Sequence, residues 1–331
     1  MELTDKTVVV TGGAGFIGSH LCDKIAQFNP SKLIVIDDFS LGKERNIEKL
    51  RGLRNFSIFK MDASNYKAMA RLYDKENVDV TFNLAVVPLP ASLQKPKETN
   101  DINILITSTV CELLYRGKYK TLIHCSSSEA YGSAIYTPMS ENHPTYPHTP
   151  YAASKLACDH IALSYHKTFG LDIAITRPFN SYGPRQNEYS YAGVIPKTIC
   201  RIASGKPPII EGDGSQTRDY TYVDDIADAL IGVYQTNLTR GKVINAASGG
   251  EISIKELIFL IMKLMDYSGD VIYTDPRPGD VRRLVGDISL AKQLIGYSPK
   301  TNFEVGIQKT IDWYKSIHPN SIEEQLLFSC Q

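Results

Sequence analysis

The sequence predicts an α/β fold, with a doubly wound parallel sheet and a smaller α/β region at the C-terminal end. Three observations predict it. Short β-branched runs alternate with helical spacings through the first half of the 331 residues. The first run ends in a glycine-rich turn that opens a helix, and the second run ends in an acid. Strands are expected over 7–11, 33–36, 56–59, 78–84, 121–125 and 172–176. Apolar runs this short, separated by helices, suit parallel strands buried on both faces. Helices are expected over 17–28, 102–115, 154–169, 254–265 and 303–316. From Arg177 onward prolines and glycines break the chain into short elements, a texture that often carries binding surfaces. The expected division is a nucleotide-binding region over 1–178, to which later residues add strands, a ligand-binding region mainly over 179–320, and a tail over 321–331.

Lys+Arg and Asp+Glu both number 36, so the formal charge is zero. A neutral chain has no overall field to gather nucleic acid, and no such partner is expected. No segment reaches the roughly 18 apolar residues of a membrane helix, and the N-terminus carries no signal-peptide core. The six cysteines, Cys22, Cys111, Cys125, Cys158, Cys200 and Cys330, are scattered and form no CxxC pair. Buried free thiols, a cytoplasmic setting and no metal site are the expectation, with Cys330 in a frayed tail.

The first strand runs into Thr11-Gly12-Gly13-Ala14-Gly15-Phe16-Ile17-Gly18. A side chain at Gly12 or Gly15 would keep a pyrophosphate from the backbone N–H groups. Gly18 lets the helix pack on the strand, and the helix N-terminus faces the phosphates. This is the dinucleotide-binding arrangement of a Rossmann-type sheet. Asp37 ends the second strand, where a carboxylate accepts from the adenosine ribose hydroxyls and repels a 2′-phosphate; NAD is therefore the expected cofactor. Lys43 and Arg45 lie just beyond and could soften that preference.

Tyr151 and Lys155 stand four residues apart at the start of the long helix, on one face. An ammonium beside a phenol lowers the phenol's pKa, so Tyr151 could take a proton from a sugar hydroxyl while hydride leaves the same carbon. The 121–125 strand delivers Ser126, Ser127, Ser128 and Glu129 to the same crevice, although three serines also suit a simple turn.

These features, with Asn83-Leu84-Ala85, the run 177–185, Gly212 to Asp219, Tyr222 to Asp225 and Arg277 to Arg282, resemble the extended short-chain dehydrogenase/reductases that modify nucleotide sugars, the NAD-dependent epimerase/dehydratase family. The resemblance spans most of the chain and implies roles. Phe16, Ile17, Asp62, Ala63, Leu84 and Ala85 would line the cofactor groove, supported by Asn103. Ser127, Tyr151 and Lys155 would be the catalytic set, with Lys155 also holding the nicotinamide ribose. Ser127, Ser128, Asn180, Arg185, Arg218 and Arg282 would bind the nucleotide sugar, Arg218 and Arg282 through its phosphates. For Arg218 a structural pair with Asp219 or Asp224 is the competing reading. The stretch 186–215 would wrap the base, and helices 102–115 and 154–169 would build a homodimer.

The resemblance also implies a first step, oxidation of sugar C4 to a ketone. Glu129 matches members that need an extra acid/base beside Ser127, which puts a 4,6-dehydratase first, a 4-epimerase second and a uronate decarboxylase third; a carboxylate that merely bonds to nearby backbone is the competing reading of Glu129. A cofactor-binding protein without turnover is a different class, against which the intact Ser127/Tyr151/Lys155 set argues. The loop 86–92 departs from the family pattern in being apolar.

Overall fold

The computed structural model describes residues 1–188, 192–277 and 279–317. In chain order the first part comprises β1 (Thr7–Thr11), α1 (Phe16–Ala26), β2 (Lys32–Asp37), β3 (Phe56–Lys60), α2 (Tyr66–Glu76), β4 (Val80–Asn83), the short α3 (Leu89–Ser92), α4 (Pro96–Tyr115), β5 (Thr121–Cys125), α5 (Pro150–Phe169) and β6 (Asp172–Pro178). Helix Val223–Gln235 and strand Val243–Ala246 then return to the large sheet. Its spatial order is Val243–Ala246, β6, β5, β4, β1, β2, β3, with every neighbouring pair parallel. The chain leaves β1 toward β2 and β3, then crosses back to β4 on β1's other side. That reversal opens a crevice at the carboxyl ends of β1 and β4.

Period-two alternation builds two cores from the same strands. Val8, Val10, Leu33, Val35 and Phe82 face α1 and helix Val223–Gln235; Val9, Ile34, Ile36, Leu122 and Ile173 face α2, α4 and α5. Phe82 is fully buried and meets Tyr234 with ring centroids 5.9 Å apart. Residues Tyr182 to Tyr314 contribute a third core under the small sheets.

Several boundaries differ from the sequence reading, each for a local reason. Helix α5 begins at Pro150, four residues before the expected start. Thr149 caps it by accepting from Ala152 N–H at 3.2 Å, and Pro150 holds the first helical position, where its missing N–H costs nothing. Helix α4 likewise begins at Pro96 rather than 102. Helix α2 and helix Val223–Gln235 carry too many charged or small residues to declare themselves by apolar runs alone. The expected tail over 321–331, with Cys330, lies outside the described residues. The five described cysteines are buried and form no disulfide with one another. Among the described residues no helix is long and apolar enough to cross a membrane, and no cluster could hold a metal.

One buried ion pair fixes the far end of the sheet to the site. Arg177 on β6 donates to Asp159 Oδ2 on α5 through Nε (2.9 Å) and Nη2 (2.7 Å), and its guanidinium lies 4.5 Å from the centre of the Tyr131 ring. Arg177→Met should strand a buried carboxylate and destabilise the fold by about 3–5 kcal/mol. Urea unfolding measures this, and an unchanged midpoint would show that the pair contributes little.

Candidate active site

The glycine turn leaves a cradle of backbone. Gly12 has φ +68°, and a Cβ there would lie 2.8 Å from Ala85 N; one at Gly18 would lie 2.2 Å from Gly12 O. Both glycines are demanded by the turn's own packing. At Gly15 an added Cβ would meet only Gly12 O, at a tight 3.1 Å, so the face of the turn there is otherwise open. The first turn of α1 carries neither a capping side chain nor an acid. An uncapped helix start above a bare backbone turn fits a pyrophosphate.

Around the cradle, the sequence-predicted residues divide by role. Asp37 accepts from Ala14 N–H through Oδ2 and from Phe39 N–H through Oδ1, both at 2.9 Å, so it braces the glycine turn from below. Burial pushes its carboxyl up, against those two N–H groups, which pull it down. Leu84 and Ala85 follow β4, and their N–H groups donate to Thr11 Oγ1 at 3.1 and 3.2 Å. Asp62 is exposed and accepts from Ser64 N–H, while Ala63 is buried. Asn103 bonds the Val87 backbone in both directions, at 2.7 and 3.1 Å, and donates to Ser154 Oγ at 2.9 Å. It therefore pins the apolar loop after Ala85 to the helix that carries Tyr151.

The structure brings Ser127, Tyr151 and Lys155 together. Ser127 caps the turn Ser128–Tyr131, accepting from Glu129 N–H at 3.2 Å, and its side chain hydrogen-bonds the Tyr151 phenol. Lys155 is buried and donates to Cys125 O at 2.6 Å. The sequence reading has Lys155 lowering the phenol's pKa. In the structure burial instead pushes Tyr151 above its usual value, and the Ser127 bond opposes this only in part. Low-dielectric walls disfavour the phenolate over its whole surface.

Glu129 reaches into the groove from the same turn. Burial raises its carboxyl pKa, opposed by the charges of Arg218 and Arg277. Those two arginines both donate to Asp280 Oδ1, at 2.7 and 2.6 Å. Arg218 thus pairs with Asp280, while Asp219 serves the backbone N–H groups of Ser248, Gly249 and Gly286. The sequence reading quotes Arg277 only as the start of a family motif and gives the phosphate role to Arg282. Arg282 is exposed, and the turn closed by Asp280 N–H onto Arg277 O turns Arg277 inward instead. The spacing of Arg277 three residues before an acid was the available signal. Arg185 pairs with Asp23 on α1 at 2.7 Å. Asn180 Nδ2 and Ser126 Oγ are buried without a partner among the described residues, as donors reserved for a ligand would be. Ser128 is buried at the start of its turn.

A family model described as GDP-mannose 4,6 dehydratase matches residues 9–310. The chain belongs to the NAD-dependent epimerase/dehydratase family of nucleotide-sugar enzymes. A putative UDP-glucose 4-epimerase of Methanocaldococcus jannaschii is 34% identical over 93% of this chain and 98% of its own. A UDP-N-acetylglucosamine 4-epimerase of Methanobrevibacter ruminantium, solved in complex with UDP-N-acetylmuramic acid, is 37% identical, with a TM-score of 0.88 over 95% of this chain and 99% of its own. A dTDP-glucose 4,6-dehydratase of Streptomyces venezuelae, solved with NAD bound, is 26% identical, with a TM-score of 0.89 over 95% of this chain and 98% of its own. The protein is accordingly an NAD-dependent enzyme that modifies a nucleotide sugar.

The raised Glu129 pKa sets the sign of a pH effect. A carboxyl held above its unfolded value of 4.5 contributes stability below that pH and loses it as pH rises through the folded value. Glu129→Gln, which cannot ionise, should gain stability relative to the parent between pH 4 and 7. Melting both proteins across that range checks it, and parallel curves would contradict it.

Proposed function

We propose that the chain is an NDP-sugar 4-epimerase. The reading is carried by the relatives named 4-epimerases, at 34% and 37% identity over more than nine-tenths of the chain. It reverses the order that Glu129 suggests in the sequence.

The chemistry assigned to this chain's residues is as follows. Tyr151 takes the proton of the C4 hydroxyl and later returns it, while Ser127 hydrogen-bonds the same oxygen. Bound NAD supplies the acceptor for the C4 hydride and a positive charge beside the phenol, which acts against the effect of burial on Tyr151. Lys155 fixes the geometry of that end of the groove through Cys125 O. Arg218 and Arg277 exchange Asp280 for the substrate's diphosphate, where guanidinium forks match phosphate oxygens. Asn180 offers its unpartnered amide to the same group. Inverting C4 requires the ketone to present its other face while the diphosphate stays anchored, and it needs no base beyond Tyr151.

One observation favours a second reading. Glu129, with a raised pKa beside Ser127, is suited to taking the C5 proton and passing it to the C6 hydroxyl as water leaves; return of the C4 hydride to C6 and of a proton to C5 would then complete a 4,6-dehydratase reaction. Incubation with UDP-, dTDP-, GDP- and CDP-hexoses separates the two. A product of unchanged mass with a new sugar NMR signature supports the epimerase, and loss of one water supports the dehydratase. Tyr151→Phe should lower turnover by roughly 10²–10⁴-fold with NAD binding retained; undiminished turnover would remove Tyr151 from the mechanism.

The five buried thiols suit a reducing, cytoplasmic setting. Helices α4 and α5 pack together and expose Leu105, Tyr115 and Phe169, which supports a homodimer through this face. Light scattering should give twice the chain mass, and a monomer would exclude the dimer.

A further inference from the structure

A cation just beyond the acid that ends the second strand is what a 2′-phosphate needs in a dinucleotide site, and this chain has two, Lys43 and Arg45. The structure directs both elsewhere. Lys43 Nζ and Arg45 Nη2 converge on a single oxygen, Oε1 of Glu188, at 2.6 and 2.7 Å. The Glu188 side chain is 1% exposed, and it arrives from the loop that follows strand Asn180–Tyr182, on the sugar side of the molecule. Two anchors hold that loop. Arg185 pairs with Asp23 of α1 at 2.7 Å, and Tyr314 donates its hydroxyl proton to Gln186 O at 2.6 Å. Burial alone would raise the Glu188 carboxyl; the hydrogen bonds and charges of Lys43 and Arg45 together outweigh it and keep the carboxyl below its ordinary range.

The cations stand next to the cofactor cradle. Lys43 N–H donates to Ala14 O at 3.1 Å, and the preceding Gly42 lies so close to Asp37 that a Cβ would sit 2.5 Å from its Oδ1. Arg45 also lies over the Trp313 ring, 5.4 Å from its centre.

We propose that Glu188 is a cofactor-selectivity residue, excluding NADP by holding Lys43 and Arg45 away from the adenosine ribose. Both cations are paired with Glu188, and Asp37 has the like charge of Asp38 beside it. A 2′-phosphate entering there meets Asp37 with no uncommitted counter-charge. With Glu188 neutralised, the same two cations lose their shared carboxylate and offer the ribose end an ammonium and a guanidinium fork that suit phosphate. The inference rests on the cofactor groove assigned above.

The test is equilibrium binding of NAD⁺ and NADP⁺ to the full chain, read by calorimetry and by the fluorescence of Trp313, the single tryptophan. Glu188→Gln should raise the NADP/NAD affinity ratio by about tenfold or more, and adding Lys43→Met and Arg45→Met to it should return the ratio to the parent's value. In the parent background Lys43→Met alone should leave the ratio within about twofold, because that lysine is already committed to Glu188. An unchanged ratio in Glu188→Gln that still binds NAD overturns the proposal. So does a tenfold loss of NADP affinity in the single Lys43→Met variant, which is informative even if Glu188→Gln does not fold. A parent that binds neither dinucleotide overturns the groove assignment itself, a distinguishable result.

Discussion

The Thr11 hydroxyl sits where the sheet reverses direction, and the site is built outward from it. It donates to Asn83 Oδ1 at 2.7 Å and accepts from Leu84 and Ala85 N–H, so one oxygen ties the end of β1 to the end of β4. The backbone ladder already pairs Thr11 with Asn83, and the hydroxyl carries that pairing past the strand ends, where the helices leaving them go to opposite faces. The tie sets the gap between Gly12 and Ala85, too narrow for a Cβ. It also fixes the start of the loop that Asn103 clamps at Val87, and through Ser154 the helix that carries Tyr151 and Lys155. Cofactor cradle and proton-transfer set are thus parts of a single hydrogen-bonded frame.

Charge in the groove is arranged as pairs waiting for a better partner. Arg218 and Arg277 share Asp280, and the charges of both lower the Glu129 carboxyl. A diphosphate can displace a shared carboxylate at modest cost, since each arginine exchanges one acceptor for another. The Lys43–Arg45–Glu188 cluster is of the opposite kind: its acid is buried and its loop is anchored at both Arg185 and Gln186. The first arrangement suits a group that comes and goes, and the second a group kept out. Tyr151 completes the contrast. Its phenol is raised by burial, against the Ser127 hydroxyl, which lowers it.

Much of the fold could be read from local pattern. Six strands of the large sheet, β1 to β6, lie within two residues of expectation, because β-branched apolar runs flanked by glycine or acid have few alternatives. The helix starts at Pro96 and Pro150 were legible too, in Lys-Pro and Thr-Pro, had proline been weighed as an opener rather than a breaker. Helix Val223–Gln235 was not legible, since its Val-Asp-Asp opening mixes a binding motif with a core face that only the sheet defines.

The sequence alone determined the sheet class, the glycine turn, the Tyr151–Lys155 spacing and the serine-rich end of β5. Each of these depends on residues within a few positions of one another, and backbone geometry carries such information directly. Only the tertiary structure decided which charges meet: Arg277 rather than Arg282 beside Arg218, and Glu188 on Lys43 and Arg45. Ion pairs form across whichever surfaces the packed cores bring into contact, and no local spacing encodes a distance between residues 45 and 188.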